Sequence, residues 1–249
     1  MDSDPSRIPV EPIPFEYGLT HFAQSLARGR PKVVAIGSST TAGEGQIKAY
    51  PERLLTLLQA EYPNPGITLV NQGIGGQEAP VELQRFDTDV IAEKPDLVIW
   101  QVGTNAIWQS PNSKPPPPSF DETTSAIREG LVKLRNQTQA DVILMDLQYV
   151  PAVLTPAKKA NAIAMVKAIS ELAQGAGVNV FRRFAFMKGM SEVEQVSFDR
   201  MIDPGDEHRL HDGDWTTDRV AWAMKLAIVD GVNKAWSSLA APSRPSPAS

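Results

Sequence analysis

The chain has 249 residues, of which 42% are hydrophobic and 21% are charged, and its formal net charge is −5. It contains no cysteine, which excludes a disulfide scaffold, a cysteine nucleophile and a thiolate metal site. The acidic balance and the scattered basic residues argue against a nucleic-acid-binding protein, and no run of about 18 apolar residues predicts a membrane span.

The two ends of the chain differ from its body in composition. Residues 1–28 open with an acidic, proline-dotted stretch and are predicted to form an extended arm. Residues 241–249 contain mainly Pro, Ser and Ala and are predicted to be disordered. As written, the start lacks the apolar core of a signal peptide, which fits a cytoplasmic protein, or a periplasmic or secreted one whose leader was removed. Residues 29–240 are predicted to form one domain.

Within the body, short apolar runs alternate with helical patterns. The runs predict strands over residues 33–36, 67–70, 97–102, 142–147 and 178–181. The amphipathic patterns predict helices over residues 51–61, 81–93, 123–136, 157–174 and 217–239. Five strands with helical crossovers predict an α/β fold, a three-layer α/β/α sandwich around a five-stranded parallel sheet. Ligands of such sheets bind beyond the C-terminal strand ends.

The first predicted strand ends in small residues, Gly37-Ser38-Ser39-Thr40-Thr41, which allow a tight turn and the close approach of a ligand. The segment is not a phosphate loop, because no lysine lies between Gly37 and Lys48, and it lacks the three-glycine spacing of a dinucleotide-binding loop. Thr41 stands where the nucleophile elbow of α/β-hydrolases has glycine. Two interpretations remain, a serine or threonine nucleophile at the top of the sheet and an ordinary turn.

The next two strand ends carry groups that can stabilise negative charge. The second strand ends in 71–76, where three glycines in four positions expose backbone N–H groups. The third ends in Gly103-Thr104-Asn105, and an asparagine amide can donate to a developing oxyanion. Taken alone, the glycine run favours an ordinary turn, and the asparagine is also typical of an Asx turn.

Two of the three histidines of the chain, His208 and His211, lie in the segment from Asp203 to Trp215. Histidine is the residue whose titration suits a general base near neutral pH, and a serine needs such a base to act as a nucleophile. Two other interpretations are a metal site formed by these histidines with nearby aspartates, and a polar loop that caps the last helix.

The order of these segments resembles that of the SGNH (GDSL-like) hydrolases. A strand-end Gly-x-Ser, then Asn-x-x-x-x-Gly, then Gly-x-Asn and a late histidine appear in sequence between about Lys32 and Trp236. The resemblance is closest to a bacterial branch that opens with Gly-Ser-Ser and whose third segment reads Trp-Gln-x-Gly-Thr-Asn, here Trp100 to Asn105. It implies a flavodoxin-like sandwich.

The resemblance also implies roles for individual residues. Ser39 matches the nucleophile and, through its backbone N–H, the first oxyanion donor. Gly76 and Asn105 match the other two oxyanion donors, and His211 matches the general base.

The final segment departs from the family pattern. The family places an aspartate three residues before the histidine, and in this chain that position is His208. The residue that orients His211 is therefore left open between Asp206, Asp203 and a backbone carbonyl.

The activity implied is that of a serine esterase, which hydrolyses carboxylic esters with short acyl or O-acetyl groups through an acyl-Ser39 intermediate and needs no metal or organic cofactor. Its substrate would be a small-molecule or glycan ester. Three alternatives remain: an acyltransferase that uses the same site, a non-catalytic carbohydrate- or partner-binding module, and a metal-dependent hydrolase at His208 and His211.

Overall fold

Five parallel strands form one sheet in this computed structural model, which describes residues 14–43, 45–110 and 112–240. The strands are Lys32–Gly37 (β1), Thr68–Gly73 (β2), Leu97–Gln101 (β3), Asp141–Met145 (β4) and Asn179–Phe181 (β5). Their order across the sheet is β2-β1-β3-β4-β5, which is the flavodoxin-like doubly wound order. The direction of winding reverses between β1 and β3, so the crevice beyond these two strands is where a ligand site is expected.

Helices cover both faces of the sheet. In the described ranges they are Thr20–Arg28 (α1), Ser39–Ala42 (α2), Tyr50–Glu61 (α3), Ala79–Gln84 (α4), Thr104–Trp108 (α5), Phe120–Gln137 (α6), Lys159–Ala176 (α7), Arg183–Glu192 (α8), Phe198–Met201 (α9) and Asp214–Ala240 (α10). Helix α10 packs against α3 and α1, whereas α6 packs against α4 and α7. Two helical layers and one sheet confirm the predicted three-layer α/β/α sandwich.

The central strands β1, β3 and β4 are buried because their sequences are almost continuously apolar, whereas the edge strand β2 is only partly buried. Every residue of β3 is buried, as are the last five of β1, which is the pattern of strands covered by helices on both faces. The indole of Trp100 lies edge-on to Phe86, with ring centroids 4.8 Å apart. The centre of the sheet is therefore apolar, and polar residues such as Lys32 and Gln101 lie at the ends of the strands.

The prediction of an extended arm is wrong for Thr20–Arg28, which forms α1. Leu19, Phe22 and Leu26 recur at helical spacing and are buried, and the N–H of Leu19 donates to the carbonyl of Gly231 in α10 (2.9 Å). This apolar stripe needs a helix to reach the core, whereas the proline-rich composition that suggested an arm precedes it. Residues 1–13 and 241–249 lie outside the described residues, and the domain limits stay a prediction.

Candidate active site

Ser39 lies at the start of α2, directly beyond the C-terminal end of β1. Its turn is held by Gln101 at the end of the adjacent strand β3. The Oε1 atom of Gln101 accepts hydrogen bonds from the backbone N–H (3.0 Å) and hydroxyl (3.1 Å) of Ser38 and from the hydroxyl of Thr41 (3.1 Å). Ser39 is only 8% exposed, so its hydroxyl has a defined environment.

A chain of hydrogen bonds joins Ser39 to the loop before α10. The Nε2 atom of His211 lies 3.1 Å from the Oγ atom of Ser39, and its Nδ1 atom lies 3.0 Å from the Oδ2 atom of Asp206. With Asp206 ionised, Nδ1 carries the proton and donates it to the carboxylate, which leaves Nε2 free to accept the serine proton. The structure thus brings together three of the predicted site residues.

The carboxylate of Asp206 also organises the histidine loop. It accepts the backbone N–H groups of His208 (2.9 Å), Leu210 (2.7 Å) and His211 (2.6 Å). Burial alone would raise the pKa of Asp206, but these N–H groups and the nearby His211 outweigh it and hold the pKa below its usual value. Asp206 is therefore a carboxylate at neutral pH.

Asp203 and His208, the other predicted candidates, lie elsewhere in this loop. The Oδ1 atom of Asp203 accepts the N–H of Gly205 (2.9 Å), which closes a local turn. The ring of His208 packs against Trp108, with centroids 5.0 Å apart. A turn bond from the N–H of Asp206 to the carbonyl of Asp203 folds the segment back on itself. The carboxylate beside His211 is therefore five residues before it in the sequence, and not three.

The second and third strand ends border the same crevice. A Cβ built on Gly75 would lie 3.9 Å from the Cβ of Ser39, and Gly76 adopts a φ of 77°, which favours glycine. Asn105 is buried in α5, and its Nδ2 atom donates to the carbonyl of Gln77 (2.8 Å). This bond uses one of the two amide protons and fixes which way the amide points. All these groups lie at the C-terminal edge of β1, β2 and β3.

Gly73, at the end of β2, is expected to tolerate no side chain. A Cβ there would lie 2.2 Å from the backbone nitrogen of Ala42 in α2. Gly73→Ala should therefore displace α2 and reduce the free energy of unfolding by about 2 kcal/mol or more, measured by urea denaturation. Gly175→Ala is the matched control, because a Cβ there meets nothing within 4 Å. Equal stability of the two variants would contradict the expected clash.

A buried polar network connects the elements on either side of the crevice. The Oε1 atom of Gln148 accepts from the hydroxyl of Thr104 (2.9 Å) and from Nη2 of Arg183 (2.6 Å), and its Nε2 atom donates to the carbonyl of Leu210 (3.2 Å). Thr104 and Leu210 directly precede the asparagine and the histidine of the site. Gln148 and Arg183 were not predicted as site residues, although a polar residue just after a strand was a usable signal.

Arg183 is fully buried beside two carboxyl groups. Its Nε atom donates to the carbonyl of Asp146 (3.1 Å), and the side chain of Asp146 accepts the N–H of Phe184 (2.9 Å). Asp212 is also buried and interacts electrostatically with Arg183. Burial raises the pKa of Asp146 to about 7 and that of Asp212 to about 6, although the positive charge of Arg183 opposes both shifts.

Stability should depend on pH through Asp212. Because its folded-state pKa lies above the unfolded value of about 3.9, the folded state binds more protons between the two values. The free energy of unfolding therefore falls as pH rises from about 4 to about 7. We expect Asp212→Asn to remove on the order of 3 kcal/mol of this decrease, measured by urea denaturation at both pH values. An unchanged slope in Asp212→Asn would contradict the prediction.

The described ranges contain no candidate metal site and no candidate membrane-spanning helix. No group of three or more His, Asp or Glu side chains is arranged to hold a metal ion within the part of the chain that the structure describes. None of its helices combines the length and apolar character needed to cross a bilayer.

The chain is similar to known bacterial proteins over part of its length. It is 33% identical over 133 residues to an acetylxylan esterase of Geobacillus stearothermophilus, an alignment that spans 48% of this chain and 60% of that protein. It is 38% identical over 82 residues to an uncharacterized lipoprotein of Bacillus subtilis, which covers 31% of this chain and 33% of that protein. The chain thus matches less than two thirds of either relative.

Solved structures share the fold over most of the chain. The crystal structure of Axe2, an acetylxylan esterase of Geobacillus stearothermophilus, has a TM-score of 0.67 at 23% identity and covers 82% of this chain and 95% of that one. LAE5, an α/β hydrolase enzyme from the metagenome of Lake Arreo, has a TM-score of 0.68 at 20% identity and covers 87% and 99%. The model of the Non-GDSL lipase-like family matches residues 5–234. The resemblance seen in the sequence is therefore confirmed, and the chain belongs to the Non-GDSL lipase-like family.

Proposed function

We propose that the protein is a serine hydrolase of carboxylic esters, with Ser39 as nucleophile, His211 as general base and Asp206 as the carboxylate that orients it. The observation that carries this proposal is the continuous chain of hydrogen bonds from Asp206 through His211 to Ser39 (3.0 and 3.1 Å) at the reversal point of the sheet. A serine hydroxyl is a weak nucleophile unless a positioned base removes its proton.

The reaction proceeds in two halves. His211 accepts the hydroxyl proton as the Oγ atom of Ser39 attacks the acyl carbonyl carbon, and the protonated imidazole then gives that proton to the leaving alcohol. Water attacks the resulting acyl-Ser39 ester with His211 again as base, which releases the acid and restores the serine. The ionised Asp206 stabilises the imidazolium that forms in each half.

The negative charge on the carbonyl oxygen is held by three donors, the backbone N–H groups of Ser39 and Gly76 and the side-chain amide of Asn105. Their position at neighbouring strand ends supports this assignment, since the groups converge on one crevice. One such donor contributes about 3 kcal/mol to transition-state stabilisation in serine hydrolases.

We propose short acyl esters, and O-acetyl groups of glycans in particular, as the substrate class. The similarity to an acetylxylan esterase supports this choice. Catalytic mutants of the Geobacillus esterase Axe2 carry alanine in place of a serine, an aspartate or a histidine. Residues of the same three types meet in the crevice of this chain.

Labelling with a fluorophosphonate tests the nucleophile. Intact mass should show one adduct per chain on the wild-type protein and none on Ser39→Ala. Ser38→Ala is the matched control, because that adjacent hydroxyl donates to Gln101 instead of His211. The absence of an adduct on folded wild-type protein would contradict the assignment of Ser39 as the nucleophile.

Hydrolysis of 4-nitrophenyl acetate, butyrate and octanoate tests the acyl preference, and we expect kcat/KM to be highest for acetate. Product analysis with an added sugar acceptor then separates hydrolysis from acyl transfer. Acetate released to water supports the esterase, whereas an acetylated acceptor as main product would make the protein an acyltransferase.

A further inference from the structure

Glu78 is a buried carboxylate that accepts four backbone N–H groups. It is only 3% exposed. Its Oε1 atom accepts from Ala79 (2.9 Å) and Gly103 (2.7 Å), and its Oε2 atom accepts from Asn105 (2.9 Å) and Ala106 (3.2 Å). An ionised carboxylate is an acceptor only, which matches a site composed of four donors.

Three of these donors belong to the turn that carries Asn105. Helix α5 has five residues, and its N-cap is Gly103, which has a φ of 94° and no side chain to accept the first N–H groups. An isolated helix of this length is not stable, and first-turn N–H groups that are buried without an acceptor destabilise the fold. Glu78 supplies from another segment the cap that α5 lacks.

Glu78 lies two residues after Gly76, so its carboxylate joins the two segments that carry the proposed oxyanion donors. Two further hydrogen bonds join the same two segments. The amide of Asn105 donates to the carbonyl of Gln77 (2.8 Å), and Nε2 of Gln109 donates to the carbonyl of Gly76 (3.2 Å). The relative position of Gly76 and Asn105 therefore depends on these contacts, and those of Glu78 lie in the protein interior.

We propose that Glu78 is a positioning residue of the oxyanion hole, which fixes the start of α5 against the loop after β2 so that Asn105 and Gly76 face one oxyanion. This inference rests on the proposed ester hydrolysis. Glu78 touches no reacting atom, and its effect on the rate passes through the geometry of Asn105.

Glu78→Gln tests the proposal, because a glutamine amide would turn its NH2 group toward two backbone donors. We expect kcat for 4-nitrophenyl acetate to fall about 10- to 100-fold while KM changes less than about threefold, since a misplacement near 1 Å can cost about 10²-fold in rate. Glu78→Asp keeps the charge but shortens the reach, and it should show the same loss if Glu78→Gln fails to fold.

Glu82→Gln is the matched control. Glu82 lies one turn later in α4, is 0% exposed, and accepts the indole N–H of Trp100 (2.7 Å). Glu82 is a buried glutamate of the helix that Glu78 caps, and its hydrogen bond goes to β3 instead of α5, so its kcat should stay within about threefold of wild type. A loss of equal size in Glu82→Gln would show that any damage to α4 slows the enzyme, and would overturn the specific role of Glu78.

A double-mutant cycle with Asn105→Ala measures whether Glu78 acts through that side chain. If it does, Glu78→Gln should lower kcat little further once Asn105 is alanine. Losses that multiply, or an unchanged kcat in folded Glu78→Gln, would overturn the proposal.

The role of Glu78 can be tested even if the proposed function is wrong. A wild-type protein without esterase activity and without a fluorophosphonate adduct would reject the function. The ¹H–¹⁵N signals of Gly103, Asn105 and Ala106 then report on the contact directly. They should move in Glu78→Gln and stay in place in Glu82→Gln, and unchanged signals in both would overturn the role of Glu78.

Discussion

Ser39→Ala is expected to lower kcat for a short acyl ester by about 10⁴- to 10⁶-fold, because the variant lacks the hydroxyl that forms the acyl intermediate. The remaining rate would come from the oxyanion donors and from substrate binding. Initial rates with 4-nitrophenyl acetate at high enzyme concentration measure the loss, and thermal unfolding of the same samples checks that the fold is intact.

Ser38→Ala makes this prediction specific to one hydroxyl. The Ser38→Ala variant loses one buried hydrogen bond, which Ser38 donates from its Oγ atom to Gln101. Such a bond contributes about 1 kcal/mol, so its loss should lower the rate by a factor of about five at most. A residual kcat above about 1% of wild type in Ser39→Ala would contradict the prediction. It would mean that another group is the nucleophile and that the crevice around Ser39 only binds a ligand.

Much of the fold was predictable because its signals are local. Each of the five apolar runs became a strand, since a short run that is rich in β-branched residues and bounded by turn residues is typical of a strand. The helix predicted over residues 81–93 was less accurate. The structure divides this stretch into α4 and a separate π-helical turn, Asp87–Ile91. The guanidinium of Arg85 reaches across to the carbonyl of Gln72 (2.6 Å), a tertiary contact that helical periodicity does not reveal.

The order of the site residues along the sequence could also be predicted, but the residues that hold them in position could not. Ser39 and His211 follow recognisable segments, and the structure places them 3.1 Å apart. Gln101, Glu78 and Gln148 make their contacts to residues 25 to 63 positions away in the sequence. In the sequence, each of these three residues looks like an ordinary polar residue near the end of a strand or at the start of a helix. Their importance appears only when the strands are assembled into a sheet.

The two aspartates near the histidine differ because their surroundings differ. Asp206 is held ionised by backbone N–H groups, and its pKa is lowered. Asp212 directly follows His211 and is buried, and its pKa is raised to about 6. Environments that shift the pKa values of two neighbouring carboxyl groups in opposite directions are typical of sites in which one of them must stay charged. Asp206 is the one whose contacts suit a lasting negative charge beside an imidazolium.

Asp206→Asn is accordingly expected to lower kcat by about 10²- to 10⁴-fold, because an amide in place of the carboxylate favours the wrong imidazole tautomer and leaves the imidazolium unpaired. The same substitution turns an NH2 group toward backbone N–H groups of the loop, so a lower melting temperature should accompany the loss. Rates with 4-nitrophenyl acetate, together with the rate of fluorophosphonate labelling, separate the chemical effect from unfolding.

Asp203→Asn is the control for Asp206→Asn, since its carboxyl group lies in the same loop but accepts the N–H of Gly205. Its kcat should stay within about threefold of wild type, because the side-chain oxygen of asparagine can still accept the N–H of Gly205. If Asp203→Asn were the damaged variant and Asp206→Asn retained its activity, the loop would have to rearrange before catalysis. The contact of Asp206 with His211 would then belong to a resting state of the enzyme and not to its reacting one.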